Sequence, residues 1–171
     1  MSSDVTIRLA RLEDAAAISK VLLEAFGVYR ENYTPEAFEI VTPPMGEIER
    51  RFGDGPQWVA ERGGAIVGTV SVTTEPEGLY IRSMAISPHV QGKGIGHKLM
   101  DAVNEYADAS EHERIFLYTT YFVPEAKKFY ESHGYKWVRD TTAEEWYGTP
   151  GLEMDRQLPS PGTVATRKVR K

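Results

Sequence analysis

A glycine-rich turn between a predicted strand and a predicted helix constrains this chain more than any other feature of its sequence. Residues 79–86 are predicted to form a strand that ends before Pro88, and residues 95–109 place apolar side chains at helical spacing. The turn contains Gln91, Gly92, Gly94 and Gly96. Glycines let the backbone turn sharply, so that consecutive N–H groups point into one concavity, and a helix N-terminus adds unpaired donors. The turn therefore predicts an anion site, above all for a phosphate or a pyrophosphate.

Two familiar phosphate-binding motifs do not fit this turn. The P-loop needs a Gly-Lys-Ser/Thr sequence, which the turn lacks. The Rossmann pattern needs a third glycine where His97 stands, and it needs an alternating βαβ chain. The turn therefore predicts a phosphate-binding loop of a different class. The less favoured alternative is a glycine turn that merely joins the strand to the helix.

The predicted secondary structure follows the order β-α-α-β-β-β-α-β-α-β-β. Strands are predicted at residues 5–9, 57–61, 65–74, 79–86, 114–120, 135–139 and 151–158. Helices are predicted at residues 13–26, 95–109 and 124–132, and from Pro35, with Thr34 as its cap, to the interruption at residues 42–44. A further short helix at residues 45–52 is left open. This order predicts an α/β fold with a mixed, mostly antiparallel central sheet of about seven strands, flanked by helices. It excludes a purely parallel, doubly wound sheet.

Length and composition limit the classes of protein that this chain can represent. Its 171 residues suit one domain, and the absence of cysteine excludes disulfides, Cys-ligated metals and an acyl-cysteine intermediate. No spacing of His, Asp and Glu predicts a metal site. No apolar run is long enough for a transmembrane helix, and residues 1–4 lack the apolar core of a signal peptide. We therefore expect a cytoplasmic protein without a membrane partner.

The net charge of −5 is unevenly distributed. Residues 159–171 carry only basic charges and begin with Pro-Ser-Pro-Gly, which predicts a disordered tail after a domain at residues 1–158. The acidic body disfavours nucleic acid as a partner and favours a cationic acceptor such as an amine. Solubility alone also explains the acidic charge.

Two segments resemble a known family. Gln91-x-x-Gly94-x-Gly96 matches the Arg/Gln-x-x-Gly-x-Gly/Ala signature of the GNAT superfamily of N-acetyltransferases. Residues 124–135 resemble the second motif of that family, although Val123 stands where an asparagine usually binds the pantetheine arm of coenzyme A. The matching residues of this second motif are Ala126, Phe129, Tyr130, Gly134 and Tyr135. The resemblance covers residues 5–158 and implies the GNAT-like acyl-CoA N-acyltransferase fold.

By this resemblance the co-substrate is acetyl-CoA, and no metal is implied. The loop amides would hold the pyrophosphate, the Met84 amide would polarise the thioester carbonyl, and the Ile86 amide would bind the pantetheine. The residues expected at this site are Met84, Ala85, Ile86, Gln91, Gly92, Lys93, Gly94, Ile95, Gly96, Ala126, Phe129 and Tyr130.

The predicted catalytic residues are Tyr130 and Met84. A phenol has a pKa near 10 in water, so at neutral pH Tyr130 holds a proton that it can donate to the departing thiolate. Considered alone, Tyr130 is better explained as a core aromatic, and only its place beside an acyl-CoA site favours the role of an acid. Some family members carry a glutamate at the position of Tyr80, so the group that deprotonates the amine stays open. The alternatives for that base are Tyr80, Glu75, Glu77, Tyr118 and Tyr121.

We expect direct transfer of the acetyl group to a primary amine, because no cysteine can carry it. A small-molecule acceptor is favoured over a protein amine, since the chain is one domain without a recognition module. The alternatives are a protein lysine or N-terminal acetyltransferase, a non-catalytic CoA-binding regulatory module, and a nucleotide-binding protein. A homodimer is also left open. The candidates for acceptor binding are Tyr29, Arg30, Tyr33, Glu36, Tyr80 and Tyr118.

Overall fold

The computed structural model describes residues 4–90 and 94–159. The helices are α1 (Ala15–Gly27), α2 (Pro35–Val41), α3 (Met45–Arg50), α4 (Ile95–Ala109) and α5 (Ala126–Glu131). The strands are β1 (Val5–Leu9), β2 (Gln57–Arg62), β3 (Ala65–Glu75), β4 (Gly78–Ile86), β5 (Arg114–Thr119), β6 (Lys136–Asp140) and β7 (Leu152–Gln157). The strands and helices follow the predicted order, and the bounds lie within two residues of the predicted ones. The additional short helix that the prediction left open between α2 and β2 is present as α3.

All seven strands belong to one sheet, in the order β1-β2-β3-β4-β5-β7-β6. Every neighbouring pair is antiparallel except β4 and β5. Parallel neighbours need a crossover connection, and α4 provides it. The prediction of a mostly antiparallel sheet with one helical crossover is therefore confirmed.

Helices cover both faces of the sheet, as the alternation of side chains along β2 shows. Trp58 and Ala60 belong to the core cluster that includes Leu99 and Val103 of α4. Val59, which lies between them in sequence, packs in a second cluster with α1. Successive side chains of a strand point to opposite faces, so α4 and α1 lie on opposite sides of the sheet.

Irregular backbone interrupts β4 close to its carboxyl end. Thr69 of β3 stands opposite Ala85, but Ser71 stands opposite Arg82, so the register shifts between them. Ser83, within this bulge, has a φ of 59°, in the left-handed region that serine rarely adopts. Bulges re-aim side chains and are common beside active sites.

The pairing of β4 with β5 also ends early. It covers Leu79–Ile81 on β4 and Ile115–Leu117 on β5. Beyond Ile81 and Leu117 the two strands part, and a cleft opens between them.

The segment between α1 and β2 differs in detail from the prediction. Thr34 caps α2 as predicted, because its Oγ1 accepts a hydrogen bond from the Ala37 amide at 3.1 Å. Helix α3 ends at Arg50 and continues as a 3₁₀ turn at residues 51–53.

Within residues 4–90 and 94–159, no helix has the length and apolar character needed to cross a bilayer.

Candidate active site

The cleft between β4 and β5 holds a cavity of about 330 Å³. We call its two sides the β4 wall and the β5 wall. The β4 wall consists of Arg51, Tyr80, Ile81, Arg82, Ser83 and Met84. The β5 wall consists of Leu117, Tyr118, Thr119, Thr120, Val123, Ala126 and Tyr130. Further lining comes from Phe26, Tyr33, Ala37, Ile40 and Val41 in the α1–α2 region, and from Thr141, Trp146, Thr149 and Gly151 near β7.

Tyr130 places a protonated phenol in this cavity. The residue is only 9% exposed, and its ring packs edge-on against Phe129 and Tyr135. Burial raises the pKa of Tyr130, since a phenolate would lose its hydration. The hydroxyl has no hydrogen-bond partner among residues 4–90 and 94–159. A buried phenol without a protein partner is free to donate its proton to a bound molecule.

The start of α4 is built for close approach to α5. Gly94 is the N-cap of α4 and has a φ of 73°, which favours glycine. A Cβ on Gly96 would lie 3.2 Å from the Phe129 ring and 3.5 Å from the Met84 Cε. Glycine at position 96 therefore allows Met84, the start of α4 and Phe129 to meet.

Arg51 is a buried cation on the β4 wall. Its side chain is 9% exposed, its Nη1 donates to the Ser83 hydroxyl at 2.8 Å, and its Nε lies 3.4 Å from Glu47. Burial first, and the neighbouring Arg82 guanidinium second, lower the pKa of Arg51. Arg82 pairs with Asp54 at 3.0 Å, and its buried Nε has no partner among the described residues.

A family model described as "Acetyltransferase (GNAT) domain" matches residues 53–137. The matched range includes every residue of the two walls except Arg51. The chain belongs to the GNAT superfamily of acetyl-CoA-dependent N-acetyltransferases.

Relatives with known names agree with this family. N-acetylaspartate synthetase of Danio rerio is 34% identical over 97 residues, which cover 56% of this chain and 33% of the synthetase. The chain thus spans about a third of the length of that relative. The uncharacterized N-acetyltransferase YjgM of Escherichia coli is 25% identical over 138 residues, which cover 77% of this chain and 82% of YjgM.

A solved structure supports the fold. The PaiA N-acetyltransferase of Thermoplasma acidophilum, in complex with coenzyme A, has a TM-score of 0.72 at 18% identity. The similarity covers 90% of this chain and 99% of PaiA. The predicted GNAT-like fold is thereby confirmed.

The structure brings together part of the predicted GNAT cofactor site. Met84, Ala126 and Tyr130 line the cavity, and Gly96 and Phe129 contact each other beside it. Val123, which replaces the usual asparagine, also lines the cavity and contributes an apolar surface. Ala85 packs in the α1 cluster, while Ile86 packs against the α4 cluster. Gln91, Gly92 and Lys93 lie outside the described residues.

The predicted acceptor residues divide into two groups. Tyr33, Tyr80 and Tyr118 line the cavity. Tyr29 contacts Phe122 instead, and the exposed Arg30 lies over the Phe38 ring at 4.2 Å. Neither of them reaches the cavity lining, and neither does Glu36.

Sequence reasoning missed the charged residues of the β4 wall. Arg51 and Arg82 belong to no recognised motif, and neither they nor Ser83 were predicted as site residues. The pairing of Glu47 with Arg51 at i,i+4 is typical of a solvent-exposed helix, so it gave no sign of a site. Only the contact with Ser83, 32 residues away, reveals the position of Arg51.

No carboxylate or histidine lines the cavity among the described residues. Burial raises the pKa of Tyr80 to about 12, and burial also raises the pKa of Tyr118. At neutral pH both phenols are therefore protonated and cannot act as bases.

Within residues 4–90 and 94–159, no group of three His, Asp or Glu side chains is suited to hold a metal ion.

Proposed function

We propose that this protein transfers the acetyl group of acetyl-CoA directly to the primary amine of a small molecule in the β4–β5 cleft. The observation that carries this proposal is the Tyr130 phenol, which is buried and protonated in that cleft and has no hydrogen-bond partner among residues 4–90 and 94–159. A CoA-binding module without catalysis would have no use for such a group.

The reaction needs one proton donor and one oxyanion donor. The neutral amine attacks the thioester carbon, and an N–C bond forms while the carbonyl oxygen gains negative charge. The Met84 backbone amide is our candidate for stabilising that oxygen. The C–S bond then breaks, Tyr130 protonates the departing thiolate, and the proton lost by the nitrogen restores the phenol. The products are an N-acetylated amine and free coenzyme A.

Coenzyme A would be held at the start of α4. The left-handed Gly94 and the free amides at the helix N-terminus suit its pyrophosphate, and the loop at residues 91–96 is our candidate site. The Ile86 amide is the candidate for the pantetheine arm, which would run along β4 where β5 no longer pairs with it. Val123 offers this arm an apolar contact in place of a hydrogen bond.

A small acceptor is favoured by the dimensions of the cleft and by one relative. A cavity of about 330 Å³ lies at the small end of the range for ligand pockets, about 300–1,000 Å³. The synthetase of Danio rerio is named for N-acetylaspartate, an acetylated small amino acid.

Two measurements test this function together. The protein is incubated with acetyl-CoA and a panel of small amines and peptides, while free coenzyme A and acetylated products are followed by thiol assay and mass spectrometry. We expect stoichiometric formation of free coenzyme A and one acetylated small amine. If acetylated product forms only with peptides, the acceptor assignment is wrong. If coenzyme A binds but no amine is acetylated, the proposed catalysis is wrong.

A further inference from the structure

The charged residues behind the β4 wall do not balance one another. The ion pairs of this cluster join three guanidinium groups, those of Arg50, Arg51 and Arg82, to only two carboxylates, those of Glu47 and Asp54. Glu47 is shared by Arg50 and Arg51, and Asp54 is shared by Arg50 and Arg82. The cluster therefore carries one positive charge in excess.

The shared carboxylates favour the arginine that faces solvent. Both oxygens of Glu47 accept hydrogen bonds from Arg50, at 3.0 and 2.8 Å, whereas Arg51 reaches Glu47 only at 3.4 Å. The side chain of Arg50 is 59% exposed and that of Arg51 only 9% exposed. The better-neutralised guanidinium is thus in water, and the poorly neutralised one is buried beside the cavity.

Arg51 also has N–H donors that no described residue accepts. A guanidinium carries five N–H groups, and in this structure its Nε and Nη1 make the described contacts with Glu47 and Ser83. Its Nη2 has no hydrogen bond to the rest of the described chain. The buried Nε of Arg82 is also unpaired among those residues. Buried charges are ordinarily paired, so unused donors at a cavity wall point to an anionic ligand.

We propose that the acceptor is an amine that also carries a carboxylate, and that Arg51, with Ser83 and Arg82, binds this carboxylate on the β4 wall. The inference rests on the proposed function, because it assumes an amine acceptor in the same cavity. A carboxylate matches the planar fork of a guanidinium and neutralises the excess charge of the cluster. Fixed there, the substrate would hold its amino group toward the reacting end of the cleft.

The charge of the cavity excludes the acceptor type suggested by the overall composition. The acidic body of the chain predicted a cationic acceptor, but its acidity does not extend to the described cavity lining, which contains two arginines and no carboxylate. An acceptor whose only charges are ammonium groups, such as a polyamine, would be repelled by the excess positive charge of the cluster.

The Ser83 bulge explains how the fold holds Arg51 in this place. The left-handed backbone of Ser83 departs from regular strand geometry, and the Ser83 hydroxyl accepts a hydrogen bond from Arg51 at 2.8 Å. The strained residue and the buried cation therefore position each other. Strained backbone of this kind is concentrated at ligand-binding sites.

The test compares acceptors that differ only in the carboxylate. Steady-state kcat/KM is measured with L-aspartate and the other common amino acids, with the corresponding amides of the best substrate, and with spermidine. We expect acetylation of at least one amino acid, with kcat/KM falling about 10–100-fold when the bound carboxylate becomes a carboxamide. Equal rates with acid and amide, or a preference for spermidine, would overturn the inference but leave the proposed acetyl transfer intact. Acetylation of no amine would overturn both.

Variants then assign the carboxylate to Arg51. In Arg51→Met, KM for the amino acid should rise about 10–100-fold and the preference for acid over amide should largely vanish, while the Kd for acetyl-CoA is unchanged. Arg51→Lys, which keeps the charge but loses the fork, should have an intermediate effect. Arg11→Met is the matched control, since Arg11 is 61% exposed, pairs with Glu13 and does not line the cavity. Melting temperatures establish that each variant is folded, and the comparison of acid with amide on the unaltered protein does not depend on them. An undiminished preference in folded Arg51→Met, or a loss of acetyl-CoA binding instead, would refute the assignment.

Discussion

The two walls of the cleft hold different side chains, and we propose that they perform different chemistry for that reason. The β5 wall is uncharged, and it presents the protonated phenol of Tyr130 beside apolar contacts such as Val123 and Ala126. The β4 wall carries Arg51 and Arg82, and the cluster that they form with Arg50, Glu47 and Asp54 has one positive charge in excess. The comparison suggests a division of labour, in which the β5 wall drives the chemical step and the β4 wall selects the acceptor.

Replacing the phenol of the β5 wall should produce the largest effect. In Tyr130→Phe the ring still packs against Phe129 and Tyr135, and only the hydroxyl is lost. General acid catalysis contributes about 10²–10⁴-fold, so the single-turnover rate should fall by that factor, with the Kd for acetyl-CoA nearly unchanged. If Tyr130 only packs, the single-turnover rate will stay within about threefold of the original, well below the usual contribution of a general acid.

A charge placed at the start of α4 should abolish donor binding without affecting either wall. Acetyl-CoA at about a hundred times its Kd should stabilise the fold by about 2.7 kcal/mol, measured as a thermal shift. Gly94→Asp should remove most of that shift, because its carboxylate would oppose the pyrophosphate. Gly94→Asn is the matched control, since asparagine tolerates the same left-handed φ without the charge. A normal shift in Gly94→Asp, or equal losses in both variants, would show that charge at position 94 does not matter.

The pH dependence should sharpen the comparison, because neither described wall offers a base. The acceptor nitrogen must be neutral to attack, so kcat/KM should rise with pH until the pKa of the acceptor amine is passed. With an acceptor whose amine pKa is about one unit lower, the rise of kcat/KM should move to lower pH by about one unit. If kcat/KM instead rises with an apparent pKa near that of a histidine or a carboxylate, and this pKa is the same for both acceptors, the enzyme supplies a base.

Removing the basic tail should have the smallest effect. A chain that ends at Ser160 loses the basic residues of the predicted tail and no described lining residue of the cleft. We expect unchanged melting temperature and unchanged activity on small amines, because Pro, Gly and basic residues contribute little to a core. A large loss of either would mean that the tail docks on the domain.

The β5 wall and the start of α4 could be predicted from the sequence because short motifs specify them. These motifs are local features: glycines at fixed spacing, the helix α4 that begins next to them, and Tyr130 on α5. The order of strands followed from turn residues and apolar periodicity in the same way. Each of these signals lies within about 20 residues of chain, which is the scale on which such patterns are informative.

The β4 wall could not be predicted because contacts between distant segments create it. The sequence Met45 to Gly53 is typical of a short exposed helix with Glu and Arg pairs. Helix α3 packs against α1, and the 3₁₀ turn that follows α3 brings Arg51 to Ser83 of β4. Ser83 in turn is aimed by a bulge that has no sequence signature. Tyr29 and Arg30 were predicted in the acceptor site for their residue type, but the turn after α1 directs them toward Phe122 and Phe38.

One acceptor titration tests the division of labour most directly. Single-turnover rates are measured against increasing concentration of the preferred amino acid, with saturating acetyl-CoA, for the original protein, Tyr130→Phe and Arg51→Lys. The account predicts that Tyr130→Phe lowers the limiting rate and leaves the half-saturating acceptor concentration unchanged. It predicts that Arg51→Lys raises the half-saturating concentration by a larger factor than it lowers the limiting rate. If both substitutions change the same parameter by similar factors, the two walls do not have separate roles and the account is contradicted.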